Sequence, residues 1–392
     1  MAGVLINPRR SSDAHPPPST QSGRSVLTKN NFDLIRLCAA LQVTVFHTAV
    51  YMDVGSVWVH YLGYFPGVPI FFFISGFLIY QSYNNIRANK LKTFFTNRVL
   101  RLYPALCICI VLSAVSVYAS GYLTAVDPSR WEIFTWLASQ LTFLQFYNPD
   151  FLRGYGTGKL NASLWTISIE LQFYVLTPVI FLVSKKFRKT AFALFVLFAI
   201  INVGNSFFNP RVTTLQKILN VSFAPWIFMF ATGAYLSTNK ALQQKIVQIP
   251  IWATLPAYLV IYYFSLLFNF GTDNSLNPLL FLLLCCIVIK AAYTKPDLSD
   301  RLLRRNDISY GVYIYHMPIV NFLIYQGVTG SYLALAVALL GTMVMAMLSW
   351  VFVESPALLL KRITLHQRIP EAGPEAAMHP DLPALAMATT SG

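Results

Sequence analysis

The sequence predicts an all-α fold: a polytopic membrane helix bundle with about ten transmembrane helices and both termini cytoplasmic. Three observations carry that expectation. Hydrophobic residues make up 56% of the chain and charged ones 11%, and the mean hydropathy is +0.55, which excludes an ordinary soluble globule. Apolar stretches recur at roughly 32–51, 66–83, 100–120, 164–184, 190–207, 221–238, 249–268, 276–293, 308–326 and 332–353. A spanning helix needs about 20 mostly apolar residues, and these stretches are near that length. Finally, ten crossings put 24 of the 29 basic residues on one face and leave only Arg130, Arg153, Lys159, Arg211 and Lys217 on the other. Lys and Arg collect on the cytoplasmic side, so that face holds both termini.

The same asymmetry places Trp131–Tyr147 as an interfacial or re-entrant segment on the outer face, because a crossing there would send Lys185–Lys189 outside. The net charge of +14 is a topology signal with some attraction to anionic lipid headgroups, and no signature of nucleic-acid binding. Residues 1–29 are polar, carry Pro16, Pro17 and Pro18, and contain no apolar core of the kind a signal peptide needs. They read as a disordered cytoplasmic tail, and residues 363–392, rich in Pro, Ala and Thr, as a second. Residues 30–362 then form one membrane domain. All five cysteines (Cys38, Cys107, Cys109, Cys285, Cys286) fall inside expected crossings, with neither a disulfide framework nor zinc-type spacing, so no metal is expected.

In the first crossing, Arg36 and His47 are eleven residues apart. At about 100° per residue they share a helix face, about 16 Å apart along the axis. Asp33 lies one turn before Arg36, and Ala40 and Thr44 fill the stripe between Arg36 and His47. Ionisable groups at membrane depth are costly, about 2.5–3.5 kcal/mol on insertion scales, and point to function. In the second crossing, Ser75 and Gly76 form a small notch suited to close helix packing. The third opens with Arg98 and Arg101, one turn apart at the cytoplasmic surface and level with Arg36. Guanidinium forks suit phosphate oxygens, although arginines at cytoplasmic helix ends are also what orientation alone demands. The fourth carries Thr166, Glu170 and Tyr174 on one face, with Glu170 about 7–10 Å deep from the outer side. Glu170 and His47 thus lie in the same half of the bilayer, the requirement for a base with an orienting carboxylate. The ninth crossing brings Tyr313 and His316, with Pro318 two residues on freeing a backbone carbonyl. His316 either lines a donor path or bonds that carbonyl. Glu354, ending the last crossing, reads as a counter-ion for the arginines.

Together these pieces resemble the acyltransferase-3 family of integral membrane acyltransferases. The resemblance rests on Arg36 with His47, Phe71–Ile79, Arg98-Val-Leu-Arg101, Leu164–Tyr174, Ser309–Pro318 and Val353–Pro356, in order along nearly the whole membrane body. It implies transfer of an acyl group, usually acetyl from cytoplasmic acetyl-CoA, to a hydroxyl of a surface or exported glycan, free or lipid-linked, at the bacterial inner membrane. It also implies an essential His47, the general base of this reading, and arginines that support donor binding or catalysis. Arg36, Arg98, Arg101 and His316 are the expected acyl-CoA contacts, and His47, Glu170 and Arg36 the expected catalytic set. Many relatives carry a C-terminal esterase-like domain, whereas here a short tail follows the last crossing. Two other readings of buried His, Glu and Arg are a proton-coupled secondary transporter and a non-catalytic subunit handling a lipid-linked sugar.

Overall fold

The computed structural model of the chain describes residues 29–55, 57–207, 213–304 and 306–366, and these contain no strand. The first half holds α1 (Phe32–Tyr51), the short α2 (Val57–Leu62), α3 (Gly67–Asn85), α4 (Lys90–Ala119) and α5 (Tyr122–Val126). It continues with α6 (Arg130–Gln140), α7 (Trp165–Lys186) and α8 (Arg188–Phe207). The second half holds α9 (Thr214–Asn220), α10 (Ile227–Thr238), α11 (Lys240–Gln248), α12 (Ile251–Leu267) and α13 (Pro278–Tyr293). After it come α14 (Leu298–Leu303), α15 (Ser309–Tyr325), α16 (Tyr332–Ser349) and α17 (Ser355–His366), with one π-helical turn at Trp350–Glu354 joining the last two.

Every stretch expected to cross is helical, but length and composition qualify only six segments as spans among the described residues. A seventh follows if α11 and α12, bent 89° apart, count as one. The shortfall from ten lies in α10, α13 and α15, which have 12, 16 and 17 residues. At 1.5 Å per residue the shortest reaches only about 18 Å, well under the ~30 Å hydrocarbon core. α10 and α15 are mostly buried among their neighbours, while α13 is half buried and leaves Leu279 and Leu282 exposed. Of the tails expected at 1–29 and 363–392, residues 1–28 and 367–392 lie outside the described residues, and α17 carries helix through 363–366, where the second tail was expected to begin.

α15 is the centre of the molecule. Its sequence is apolar or small on every side, the pattern of a buried helix. Residues Ser309 to Pro318 are all buried, against α1, α4 and α16. Pro318 has no N–H to give the Ile314 carbonyl four residues earlier. That carbonyl is instead capped by Asn161 Nδ2 at 2.9 Å and by the Cys109 thiol at 3.3 Å. The helix break thereby ties α15 to α4 and to the loop before α7.

The second pillar is the α3–α10 pair, where two glycines face each other's backbones. A Cβ on Gly76 would lie 2.0 Å from the Phe230 carbonyl oxygen, and one on Gly233 would lie 2.1 Å from that of Phe73. Only hydrogen fits at either point, so the Ser75–Gly76 notch serves close packing as its residues suggested. Around it Phe73, Phe77, Phe173, Phe228, Phe230 and Phe281 are among the largest fully buried side chains.

At the opposite end of α1 from Arg36, the chain between α4 and α7 folds into a cap. α6 begins with a capping box between Ser129 and Glu132 and runs for 11 residues, about 16 Å, too short to cross. The turn after it brings Gln140 Nε2 to the Tyr147 carbonyl at 3.1 Å. The fully buried Asn321 of α15 then pins the next loop: its Oδ1 accepts from Thr157 N at 2.6 Å and its Nδ2 donates to the carbonyls of Lys159 and Leu160, both at 3.0 Å. Gly156, at φ +55°, lets the loop pass, since a Cβ there would lie 2.3 Å from Asn321 Oδ1.

Candidate active site

The polar residues singled out along the chain gather in two places joined by α1 and α15. The first is a cavity of about 780 Å³ at the His47 end of α1. His47 and Tyr51 form part of its wall, with Asn161, Trp165 and Trp226 from the loop before α7, α7 and the start of α10. Gln140, Gln145 and Tyr147 close it from the 131–147 segment.

His47 Nδ1 lies 3.2 Å from Nε2 of His316, which is entirely buried. His316 Nδ1 faces the Tyr313 carbonyl at 2.7 Å. A carbonyl only accepts, so His316 carries its proton on Nδ1 and its Nε2 offers a lone pair. That lone pair faces His47 Nδ1 and the Ser163 hydroxyl, which lies 3.1 Å away. His47 therefore donates from Nδ1, and its own lone pair sits on Nε2. Nε2 makes no hydrogen bond within the described residues, and the ring borders the cavity.

The second place is the opposite end, where Asp307 gathers the basic groups. Its Oδ2 accepts from Arg36 Nη1 at 2.9 Å and from Arg101 Nη2 in a very close ion pair. Its Oδ1 accepts from the Ser309 hydroxyl at 2.5 Å, in the loop just before α15. Burial would raise the Asp307 carboxyl, but the charges of Arg36 and Arg101 and the Ser309 hydrogen bonds outweigh it and hold it down at about 2. Arg101 also faces buried Glu354 at 3.6 Å, an ion pair too long for a hydrogen bond, which fits the counter-ion reading of that glutamate. Arg98 is held less firmly. Its one hydrogen bond, to Ser82 Oγ, is 3.4 Å long, its buried Nε has no partner, and its guanidinium stands 5.7 Å from the ring centres of Phe94 and Tyr174.

Glu170 joins neither histidine. Tyr174 donates to its Oε1 at 2.6 Å, and it borders a narrow cavity of about 30 Å³ with Arg36, Ser75, Thr166 and Tyr313. The His47 partner is thus His316, where the sequence suggested Glu170, and the Arg36 partner is Asp307 rather than Asp33. The narrow cavity has room for about one water. Thr166 and Tyr313, hydrogen-bonded at 2.8 Å, belong to its lining, and Ser163 accepts from Tyr313 through its carbonyl at 3.4 Å. Ser163 in turn touches His316, so a chain of hydrogen bonds runs from the narrow cavity to His47. Sequence reasoning missed Asp307, Ser163 and Asn161. Asp307 had a signal, standing two residues before Ser309 at the level of the arginines; the other two had only their place beside the Glu170 segment. Among the described residues no group of three His, Cys, Asp or Glu side chains is arranged to hold a metal ion.

This architecture, apolar helices around buried His, Arg and Glu, is that of a multi-pass membrane protein, and comparison with known proteins gives the class. The acyltransferase domain of the acyltransferase-3 family matches residues 29–354, and the chain belongs to that family. It is 30% identical to "Nodulation protein 10" of Rhizobium leguminosarum bv. viciae over 87% of this chain and 96% of that protein. It is 25% identical to an "O-acetyl transferase" of Shigella phage Sf6 over 83% of this chain and 95% of that one. With "O-acetyltransferase OatA" of Staphylococcus aureus (strain NCTC 8325) it shares 26% identity over 83% of this chain but 56% of the relative. No solved structure matches the chain. The protein is a membrane O-acyltransferase.

Proposed function

We propose that this enzyme moves an acetyl group from cytoplasmic acetyl-CoA to a hydroxyl of a surface or exported glycan, with His47 as general base. The observation that carries the reading is the orientation of His47, its Nδ1 engaged by buried His316 and its Nε2 left free beside a wide cavity. In this mechanism the acceptor hydroxyl gives its proton to Nε2 as its oxygen attacks the thioester carbonyl. The imidazolium then returns that proton to the departing thiolate. General-base help of this kind contributes about 10²–10⁴-fold. His316 acts through His47, as a positioning residue, and not as a donor contact.

The donor binds at the Asp307 end. Its phosphates fit Arg98, whose buried Nε has no partner, better than Arg101, whose fork is occupied by Asp307 and Glu354. Arg36 holds the rim of the narrow cavity through which the thioester approaches, and Glu170 with Tyr174 lies along that path. The Thr166–Tyr313 hydrogen bond closes the path and must open for each transfer. The aromatic and amide lining of the wide cavity suits a saccharide: flat rings for its C–H faces, amides for its hydroxyls.

In the bilayer this reading has ten crossings, with the three short helices completed by their neighbours, and both termini in the cytoplasm of a bacterial inner membrane. The test is incubation of the purified, reconstituted protein with labelled acetyl-CoA. Release of CoA that depends on His47 supports the enzyme; a protein that binds a sugar or moves protons without consuming the thioester would be a carrier instead. Cysteines placed at 187 and 153, both exposed positions, must label from the cytoplasm and from outside, respectively, or the topology is wrong.

A further inference from the structure

Three amide side chains in the lining of the wide cavity each leave one buried atom without a partner. Gln145 Nε2, Asn161 Oδ1 and Asn205 Oδ1 are buried and make no hydrogen bond, and all three residues line the cavity. Gln145 is 2% exposed and Asn205 9%. Their other halves are engaged: Asn205 Nδ2 with Asn220 Oδ1 at 2.8 Å, and Asn161 Nδ2 with the Ile314 carbonyl. With Gln140, Asn148, Asn220 and Asn274 these residues give the cavity wall an amide-rich character beside Trp136, Trp165 and Trp226, a lining of hydrogen-bonding groups and flat rings that suits a polyhydroxylated ligand.

The mouth of the same cavity carries charge. Lys159 and Lys217 line it, both exposed and neither in an ion pair among the described residues. They are two of only five bases expected on the outer face, and of the other three Arg153 is paired with Asp150 at 2.6 Å. The Lys159 backbone is anchored, its carbonyl accepting from Asn321, so its side chain projects from a fixed point. Asp273 is the single acid in the lining, which leaves the mouth with net positive charge. A face otherwise depleted of bases thus concentrates two of them at the entrance of the cavity that holds these amides.

We infer that the acceptor is an anionic saccharide, seated against the amide and aromatic lining with its phosphate or carboxylate at Lys159 and Lys217. The inference rests on the acyl-transfer reading for which cavity takes the acceptor. Ammonium groups suit both anions as point charges and do not discriminate between a sugar phosphate, as on a lipid-linked carrier, and a uronic acid.

The full chain in nanodiscs can be titrated with three probes, N-acetylglucosamine, N-acetylglucosamine 1-phosphate and glucuronic acid, following the fluorescence of Trp136, Trp165 and Trp226 in the cavity wall. At least one anionic probe is expected to bind about tenfold more tightly than the neutral sugar, the lower end for a charge-assisted hydrogen bond. That advantage should collapse in 0.5 M salt, where exposed charges are screened, and in the Lys159→Gln, Lys217→Gln double variant. A phosphate-only preference identifies a phosphorylated carrier, and a preference for both an acidic sugar. Equal, salt-insensitive affinity for all three probes overturns the inference, and needs no variant to fold. Consumption of labelled acetyl-CoA is read in parallel. Loss of turnover with anion preference intact defeats the acyl-transfer reading alone, and turnover without anion preference defeats this inference alone.

Discussion

His47 and His316 meet nitrogen to nitrogen, Nδ1 of the first 3.2 Å from Nε2 of the second, and the backbone of Tyr313 decides which ring nitrogen of each carries the proton. Because His316 must donate to a carbonyl, it can only accept from His47 while neutral, and His47 must then present its lone pair to the cavity. The arrangement does with a backbone carbonyl and a second imidazole what a buried carboxylate does in a Ser-His-Asp triad, where the wrong tautomer costs about 10⁴-fold.

His47→Ala should abolish acyl transfer while the protein still folds, because the ring sits at a cavity wall. His316→Leu should lower kcat by about 10²-fold, leave KM for acetyl-CoA within twofold and distort the pH–rate profile, because His47 remains but its tautomer is no longer fixed. His316→Gln, which keeps an acceptor toward His47, should recover part of the loss. A His316→Leu enzyme with a normal profile would reduce His316 to packing.

The two arginines of the RxxR element should behave differently. Arg101 is buried and clamped by two carboxylates, so Arg101→Lys is expected to lower the Tm, since a lysine cannot span Asp307 and Glu354 at once. Arg98 has one long hydrogen bond and a free Nε, so Arg98→Lys should weaken acetyl-CoA by about 1–3 kcal/mol with a smaller change in Tm. Calorimetric titration with acetyl-CoA and thermal melts of both variants separate the two roles. Unchanged donor affinity in Arg98→Lys would leave the phosphate site elsewhere.

Asp307 sets an acid limit on stability. Its carboxyl is held at about 2 against an ordinary value of 3.8, so its contribution is fully present above 3.8 and is lost as pH falls from 3.8 toward 2. That depression corresponds to about 2 kcal/mol. Asp307→Asn should therefore melt below the parent by a constant interval above pH 5, with the gap narrowing only below pH 4. Melting curves at pH 7, 5, 4 and 3 check it; a gap that closes already by pH 5 would mean that the carboxylate is not held by the arginines.

Much of this was legible in the residues, and the failures share a cause. Periodicity and hydropathy located the helix of every expected crossing, though not the short helices between them, and the eleven-residue spacing of Arg36 and His47 put them at opposite ends of one stripe. What a single helix cannot reveal is which neighbour faces it. Glu170 lay at a plausible depth for His47, yet the Tyr174 hydroxyl one turn away holds it in the narrow cavity, and the partner of His47 came from α15, 269 residues distant. Depth gives the level of a group and leaves its azimuth open. The crossing count diverged because α10, α13 and α15 are shorter than hydropathy windows suggest, and two of them, α10 and α15, are mostly enclosed by protein, where a helix need not match the bilayer in length.

The α3–α10 contact supplies a test of the scaffold itself. Gly76 and Gly233 each face a carbonyl on the partner helix at a distance no Cβ tolerates, so Gly76→Ala must push Phe230 and its helix outward. The displaced backbone lies among Phe73, Phe173 and Phe228, all buried, and overpacking of such a core costs about 1–3 kcal/mol, occasionally more. Alanine is the better helix former by about 1 kcal/mol, so local propensity alone would make the substitution stabilising. The two effects have opposite signs, and the steric one should win because the obstacle is backbone rather than a side chain that can rotate away. Gly76→Ala is therefore expected to lower the Tm and the detergent-extracted yield, and Gly204→Ala, with nothing within 4 Å of its added Cβ, to leave both unchanged or slightly raised. Melting the two variants side by side decides it: a Gly76→Ala protein as stable as Gly204→Ala would mean that α3 and α10 do not approach as closely as their glycines allow.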